Sequence, residues 1–333
     1  MTRHTLLPTT ARRRSTTPPG GGQTDPEDPG GGTGDPTTPA LPTVDAVTMS
    51  IRPTLPPTGT IVIAKDGTGD YTTFAQAYAA VPYISARATK MAVLGLTQPD
   101  PRCRVDILVK PGTYTEANTG TVPGAVAVYA LDPTPGSTVL ECGQENDGSH
   151  LYWEGVDIHN VGTGAEPKYP FHLHQYTGAT NIFARCTLDN LNAQSGGGDT
   201  PFGVDGDPGS TLLMHRVTFA SGQYTNIHGW TTWTAANSMT TIFNECGYPT
   251  GSLYWNSLND NSPDDVWVQK CDALTAGCVG AATNLHISPD TTLTGYPGAT
   301  YSARTGTVDS RTDWPVPYGA LTAAQRTTYG IPA

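Results

Sequence analysis

A short phrase that returns four times between Ile182 and Cys271 limits how this chain folds more than any other feature. It reads Ile182-Phe183-Ala184-Arg185-Cys186-Thr187-Leu188, then Leu213-Met214-His215-Arg216-Val217-Thr218-Phe219. It continues as Ile242-Phe243-Asn244-Glu245-Cys246 and Trp267-Val268-Gln269-Lys270-Cys271, with a weaker early copy in Trp153-Glu154-Gly155-Val156-Asp157-Ile158. With Val156, Cys186, Val217, Cys246 and Cys271 in one column, the steps are 30, 31, 29 and 25 residues. A near-constant step of this size marks a repeat architecture. Apolar and polar residues largely alternate within each copy, which is the period of a strand. Each copy follows a second strand-like run: Phe171-His172-Leu173-His174, Phe202-Gly203-Val204-Asp205, Asn226-Ile227-His228 and Leu253-Tyr254-Trp255-Asn256. Gly, Asn, Asp and Pro fill the gaps, as turns require. The pattern predicts an all-β parallel solenoid, in which each repeat is one coil and each strand pairs with its copies in the coils on either side. The Cys and Val column then predicts an internal ladder of small buried side chains, since a free cysteine behaves as a small core residue.

Composition agrees and sets the boundaries. The chain has 38 Gly and 29 Pro, with only 14% charged residues, a turn-rich profile. Residues 1–57 are rich in Pro, Gly and Thr, and no aromatic residue precedes Tyr71. Such a segment has too little apolar surface to offset the entropy of ordering it, which predicts a disordered arm acting as a linker or an anchoring strap. The solenoid is expected over residues 58–304, followed by a C-terminal tail or cap over 305–333. A net charge of −11 argues against broad nucleic-acid binding. No run of 18 apolar residues is present to span a membrane. The N-terminus has no apolar core of signal-peptide length, so a standard secretory signal is not expected. Six cysteines occur without a CxxC pair, so a zinc cluster is not expected, and no cofactor is implied.

The ordered part is expected to begin near Thr60 with Ile61-Val62-Ile63, followed by a Gly-rich turn. Phe74, Ala77, Tyr78 and Val81 then fall at helical spacing, so Thr73 to Val81 is expected to be a short helix that Pro82 ends. Its expected role is to cover the open end of the solenoid, where strand edges and core are otherwise bare. The run AKDGTGDYTTFAQAYAAVP paired with VDILVKPGTYTEAN, including Gly112, Tyr114 and Glu116, resembles the opening of the pectinesterase family. The resemblance covers roughly residues 60–142. It implies the right-handed parallel β-helix of the pectin-lyase-like superfamily. Beyond residue 142 the family's catalytic motifs are not matched. Asn192 and Ala193 stand where the resemblance implies a Gln and a catalytic acid, Pro201 to Asp205 replaces the second acidic motif, and the Arg-Pro-Trp motif is absent. Ester hydrolysis by that family's route is therefore not expected.

A different face carries the candidate chemistry. Aligning Leu173, Val204, Ile227 and Trp255 as inward residues puts His174, Asp205, His228 and Asn256 in one outward column, with His172 on the same face and Asp207 at the following turn. A His-Asp-His stack fits three uses: general acid–base chemistry, a partial metal site, or a polar ladder that hydrogen-bonds sugars or water. Tyr176, Trp230, Trp233 and Tyr254 cluster in the same coils and suit carbohydrate. The expected function is a virion-type structural or receptor-binding protein, of phage tail or spike kind, that recognises cell-surface polysaccharide. Residues 1–57 are its candidate contact with other tail proteins, and spike-like β-helices suggest a homotrimer. One alternative is a polysaccharide lyase or hydrolase, a depolymerase, using His174, Asp205 and His228. The other is an exported pectinesterase-like protein.

Overall fold

A computed structural model describes residues 38–146, 150–162, 169–175, 177–191, 202–206, 209–220, 227–228, 240–247, 255–256, 265–269, 271 and 284–287. The described residues form parallel sheets with a few short helices. The first sheet orders nine strands: Gly59–Ile63, Val105–Val109, Val126–Ala130, Tyr152–Glu154, Thr180–Ala184, Thr211–His215, Thr240–Asn244, Asp265–Gln269 and Asn284–Ile287. The second orders five: Gly112–Thr115, Thr138–Glu141, Asp157–Asn160, Thr187–Asn190 and Thr218–Phe219. The third orders four: Thr121–Val122, Gln144–Asn146, Phe171–Gln175 and Gly203–Gly206. Ile227–His228 and Trp255–Asn256 form a separate parallel pair. From Thr121 to Phe219 the chain visits the third, first and second sheets in that order, four times over.

Register follows the repeated phrase. Tyr152, Ile182, Leu213, Ile242 and Trp267 are successive partners across the first sheet. Their neighbours Trp153, Phe183, Met214 and Phe243 form the adjacent row, and each is fully buried. Burying one such side chain contributes about 1.5–3 kcal/mol. Rings reinforce the row: Trp153 stacks on Phe183 at 6.5 Å, and Phe171 meets Phe183 edge-on at 4.8 Å. Val156, Cys186, Val217, Cys246 and Cys271 are all buried in this same core. The five described cysteines are free and buried.

The column sits at a corner. In three circuits, two residues separate a strand of the first sheet from a strand of the second. The second of the two is the buried Val or Cys. The first has positive φ: Gly155 at 71°, Arg185 at 59° and Arg216 at 53°, with Glu245 at 56° in the next phrase. A non-glycine residue there costs roughly 1–2 kcal/mol. The offset comes from the stack, since the corner N–H donates to the carbonyl ending the next strand: Gly155 to Ala184, Arg185 to His215 and Arg216 to Asn244.

Helix α2 (Phe74–Ala80) starts at Thr73, whose hydroxyl accepts from the Gln76 N–H, and a 3-10 turn over Val81–Tyr83 follows it. Phe74 packs edge-on against Tyr114 at 5.5 Å and parallel to Trp153 at 6.3 Å, so the helix plugs the core beside the edge strands. The Glu116 carboxylate accepts from the N–H groups of Phe74 and Ala75 at 2.6 and 3.0 Å, binding the helix start to the Gly112–Thr115 strand. A carboxylate there also meets the positive end of the helix. Helix α3 (Ser85–Val93) follows; its Arg87 is buried and donates to the carbonyls of Gly124 and Ala125.

One expectation changes. Composition assigns residues 1–57 to an arm, yet residues 41–52 lie against the outer face of the first sheet. Helix α1 (Ala46–Ile51) is capped by Asp45, which accepts from the N–H groups of Val47 and Thr48. Ile51 is fully buried against Leu108, Ala127, Tyr129, Tyr152, Ile182 and Leu213, and Leu41 and Val47 pack on the same cluster. Arg52 forms two bonds to Glu154, at 2.7 and 2.6 Å, and lies 5.8 Å above the Tyr129 ring. Asp45 pairs with Arg216 at 3.0 Å. The strands holding these partners are two spacings apart, about 9.6 Å. Seven residues at about 1.5 Å rise cover that distance. Bulk composition missed this because one short segment with Leu41, Val47 and Ile51 is diluted by its polar surroundings. Residues 1–37 and the tail 305–333 lie outside the described residues.

Candidate functional site

The third sheet holds the candidate face. Phe171 and Leu173 are fully buried, so positions 172 and 174 take the alternate register of the strand. The pairing runs His172 to Gly203, Leu173 to Val204, His174 to Asp205 and Gln175 to Gly206. On the other side Phe171, His172 and Leu173 pair with Gln144, Glu145 and Asn146. Ile227 pairs with Trp255, and His228 with Asn256. Of the three adjacent pairings in the expected column, the His174–Asp205 and His228–Asn256 backbone pairs are present. His228, however, belongs to the separate two-stranded pair, and no ladder joins it to Asp205 among the described residues. The ladder joins His174 to Asp205 and stops short of His228, although the Gly203–Gly206 and Ile227–His228 strands lie close together. Tyr176, Asp207, Trp230, Trp233 and Tyr254 lie outside the described residues.

Around His172 the geometry is closer still. Its ring lies 5.3 Å from that of Tyr169, tilted by 48°. A Cβ at Gly203 would stand 2.6 Å from Tyr169 Cδ2 and 2.9 Å from His172 Cδ2. Glycine within a strand is here the condition for this close approach. Tyr169 is buried and His172 is half-buried, so a buried ring supports a partly exposed imidazole at the head of the His174–Asp205 pair. Histidine and aspartate at paired backbone positions are the residue types for proton transfer or for bonding to hydroxyls.

The residues behind the family resemblance have structural jobs. Glu116 holds the start of α2, Tyr114 packs on Phe74 and donates to the Lys110 carbonyl, and Asp70 accepts from the Val62 N–H. A second polar row had escaped sequence reasoning. On the second sheet His159 pairs with Asp189, and Glu141 follows the Leu140–Ile158 pair by one position. All three are half-buried, and Asp189 Oδ1 is buried without a hydrogen-bond partner. The thirty-residue step from His159 to Asp189 is the signal that would have found it. Among the described residues no three His, Cys, Asp or Glu side chains converge as a metal-binding group. No helix of the described residues is long and apolar enough to cross a membrane. No protein-family model matches the chain, and no curated protein matches it.

Proposed function

We propose that the circuits are the coils of one right-handed parallel β-helix and that its third sheet recognises polysaccharide on a cell surface, as a virion tail or spike component does. Right-handedness follows from the near-universal hand of parallel crossover connections. The observation that carries the binding reading is the in-register pairing of His172 and His174 with Gly203 and Asp205, with Tyr169 and His172 laid over Gly203. An in-register, regularly spaced row of polar residues suits the repeating hydroxyls of a glycan. Residues 1–37, rich in Pro, Gly and Thr, suit a tether to other tail proteins.

The test is co-sedimentation of the full chain with capsular or wall polysaccharide, with product analysis in parallel. Saturable binding without new reducing or unsaturated ends, weakened by Asp205→Ala, supports the receptor-binding reading. Chain cleavage abolished by Asp205→Ala moves the assignment to a depolymerase, the reading that the His174–Asp205 pair favours. Neither binding nor cleavage across a broad glycan panel refutes both. Genes for tail parts beside this one would support the virion setting, and their absence would weigh against it.

A further inference from the structure

Beneath residues 41–52 lies a histidine that the glycan reading does not use. His215 is fully buried, and its Nδ1 lies 2.8 Å from the Asn244 side-chain amide nitrogen. The amide N–H donates, so Nδ1 carries the lone pair and the imidazole proton sits on Nε2. That Nε2 has no hydrogen-bond partner and stands 3.8 Å from Asp45 Oδ1, beyond hydrogen-bond distance. The other charges facing the ring are Arg216 and Glu245; Arg216 pairs with Asp45 at 3.0 Å and with Glu245 at 2.7 Å. Ala184, its partner on the opposite strand, is apolar. A second proton at Nδ1 requires the Asn244 amide to turn its oxygen towards the ring, in a site shut off from water and next to a guanidinium.

We propose that residues 41–52 form an acid-released latch: the cost of a buried imidazolium at His215 outweighs its attraction to Asp45, so acid detaches helix α1 from the first sheet and uncovers the apolar row Tyr152, Ile182, Leu213 and Ile242. Burial, with Arg216 adding to it and Asp45 and Glu245 opposing, pushes the docked imidazole down to about 4 from its ordinary 6.5. Once released, the ring meets water and regains its ordinary affinity for protons. The released form thus binds the extra proton between pH 6.5 and about 4. Release is favoured about tenfold per pH unit in that window, roughly three-hundredfold in all, and is independent of pH above it. The Asp45 carboxyl is held below its ordinary 3.8 by its Thr48 and Arg216 partners, so its contribution to docking is lost only at still lower pH.

Amide hydrogen exchange of the full chain from pH 4 to 7, corrected for intrinsic rates, tests the latch. Protection of residues 46–51 is expected to fall about tenfold per unit below pH 6.5, while the strand Val105–Val109, paired on both sides, keeps its protection. In His215→Gln the slope is expected to vanish. An unchanged slope in that variant, flat protection in the native chain, or parallel loss in both segments overturns the proposal. If His215→Gln does not fold, Asp45→Asn serves instead. It is expected to lower protection of the latch at neutral pH while keeping the acid slope, and loss of that slope counts against His215 as the sensor.

Discussion

Arg52→Ala is the most informative single change at the covered face. The wild-type guanidinium makes two short bonds to Glu154, donates to the Pro42 carbonyl at 2.9 Å and lies over Tyr129. Its side chain is 9% exposed and that of Glu154 is 2% exposed, so the pair has little help from water. Truncation leaves Glu154 buried with the Tyr152 hydroxyl, at 2.8 Å, as its remaining side-chain donor. Breaking a buried pair from one side costs about 3–5 kcal/mol. The segment can instead swing away and let Glu154 hydrate, so the free energy of docking residues 41–52 caps the observable loss. Urea unfolding reports the global part, and exchange at residues 46–51 reports the local part. Combining Arg52→Met with Glu154→Leu removes both charges into an apolar setting, and the double variant is expected to recover most of the loss. A single variant costing under about 1 kcal/mol with unchanged exchange would refute this account. So would a double variant that costs the sum of the two singles.

Phe183→Ala removes the ring shared by Trp153, Phe171 and Phe202 and is expected to cost about 3–5 kcal/mol in chemical denaturation. Burial pushes the Cys186 thiol up to about 12, so thiolate is scarce at pH 8. Iodoacetamide should leave Cys186 unmodified in the native chain and alkylate it only in denaturant, as mass spectrometry will show; rapid native labelling would contradict the buried column. Gly203→Ala forces its Cβ into the Tyr169 ring and is expected to cost about 1–3 kcal/mol and to weaken polysaccharide binding, measured on the same preparation.

The spacing of the repeated phrase was enough to place the first-sheet register, because parallel strands in a stack must bring like residues together. The same logic located the His174–Asp205 and His228–Asn256 pairs. It did not tell whether adjacent pairs join into one sheet, which depends on the lengths and paths of the intervening loops. Helix α2 was legible through Thr73, Phe74, Ala77 and Tyr78, although Pro82 sits within a 3-10 turn where a sharp stop was expected. Helix α1 was not legible, since six residues make a marginal helix alone and this one depends on the sheet beneath it. The role of Glu116 in holding α2, forty-two residues away from Phe74, likewise needs the fold to be seen.

The two-residue corners have a consequence for how such a chain can vary. Each corner N–H is satisfied by the carbonyl of the following circuit, so one residue added between Ala184 and Thr187 would break its own turn and misalign the bonds to both neighbouring circuits. The passage from the second sheet to the third has no such constraint and differs in length between circuits. Insertions and deletions should therefore collect on one side of the molecule, and homologues should differ in overall length by complete circuits.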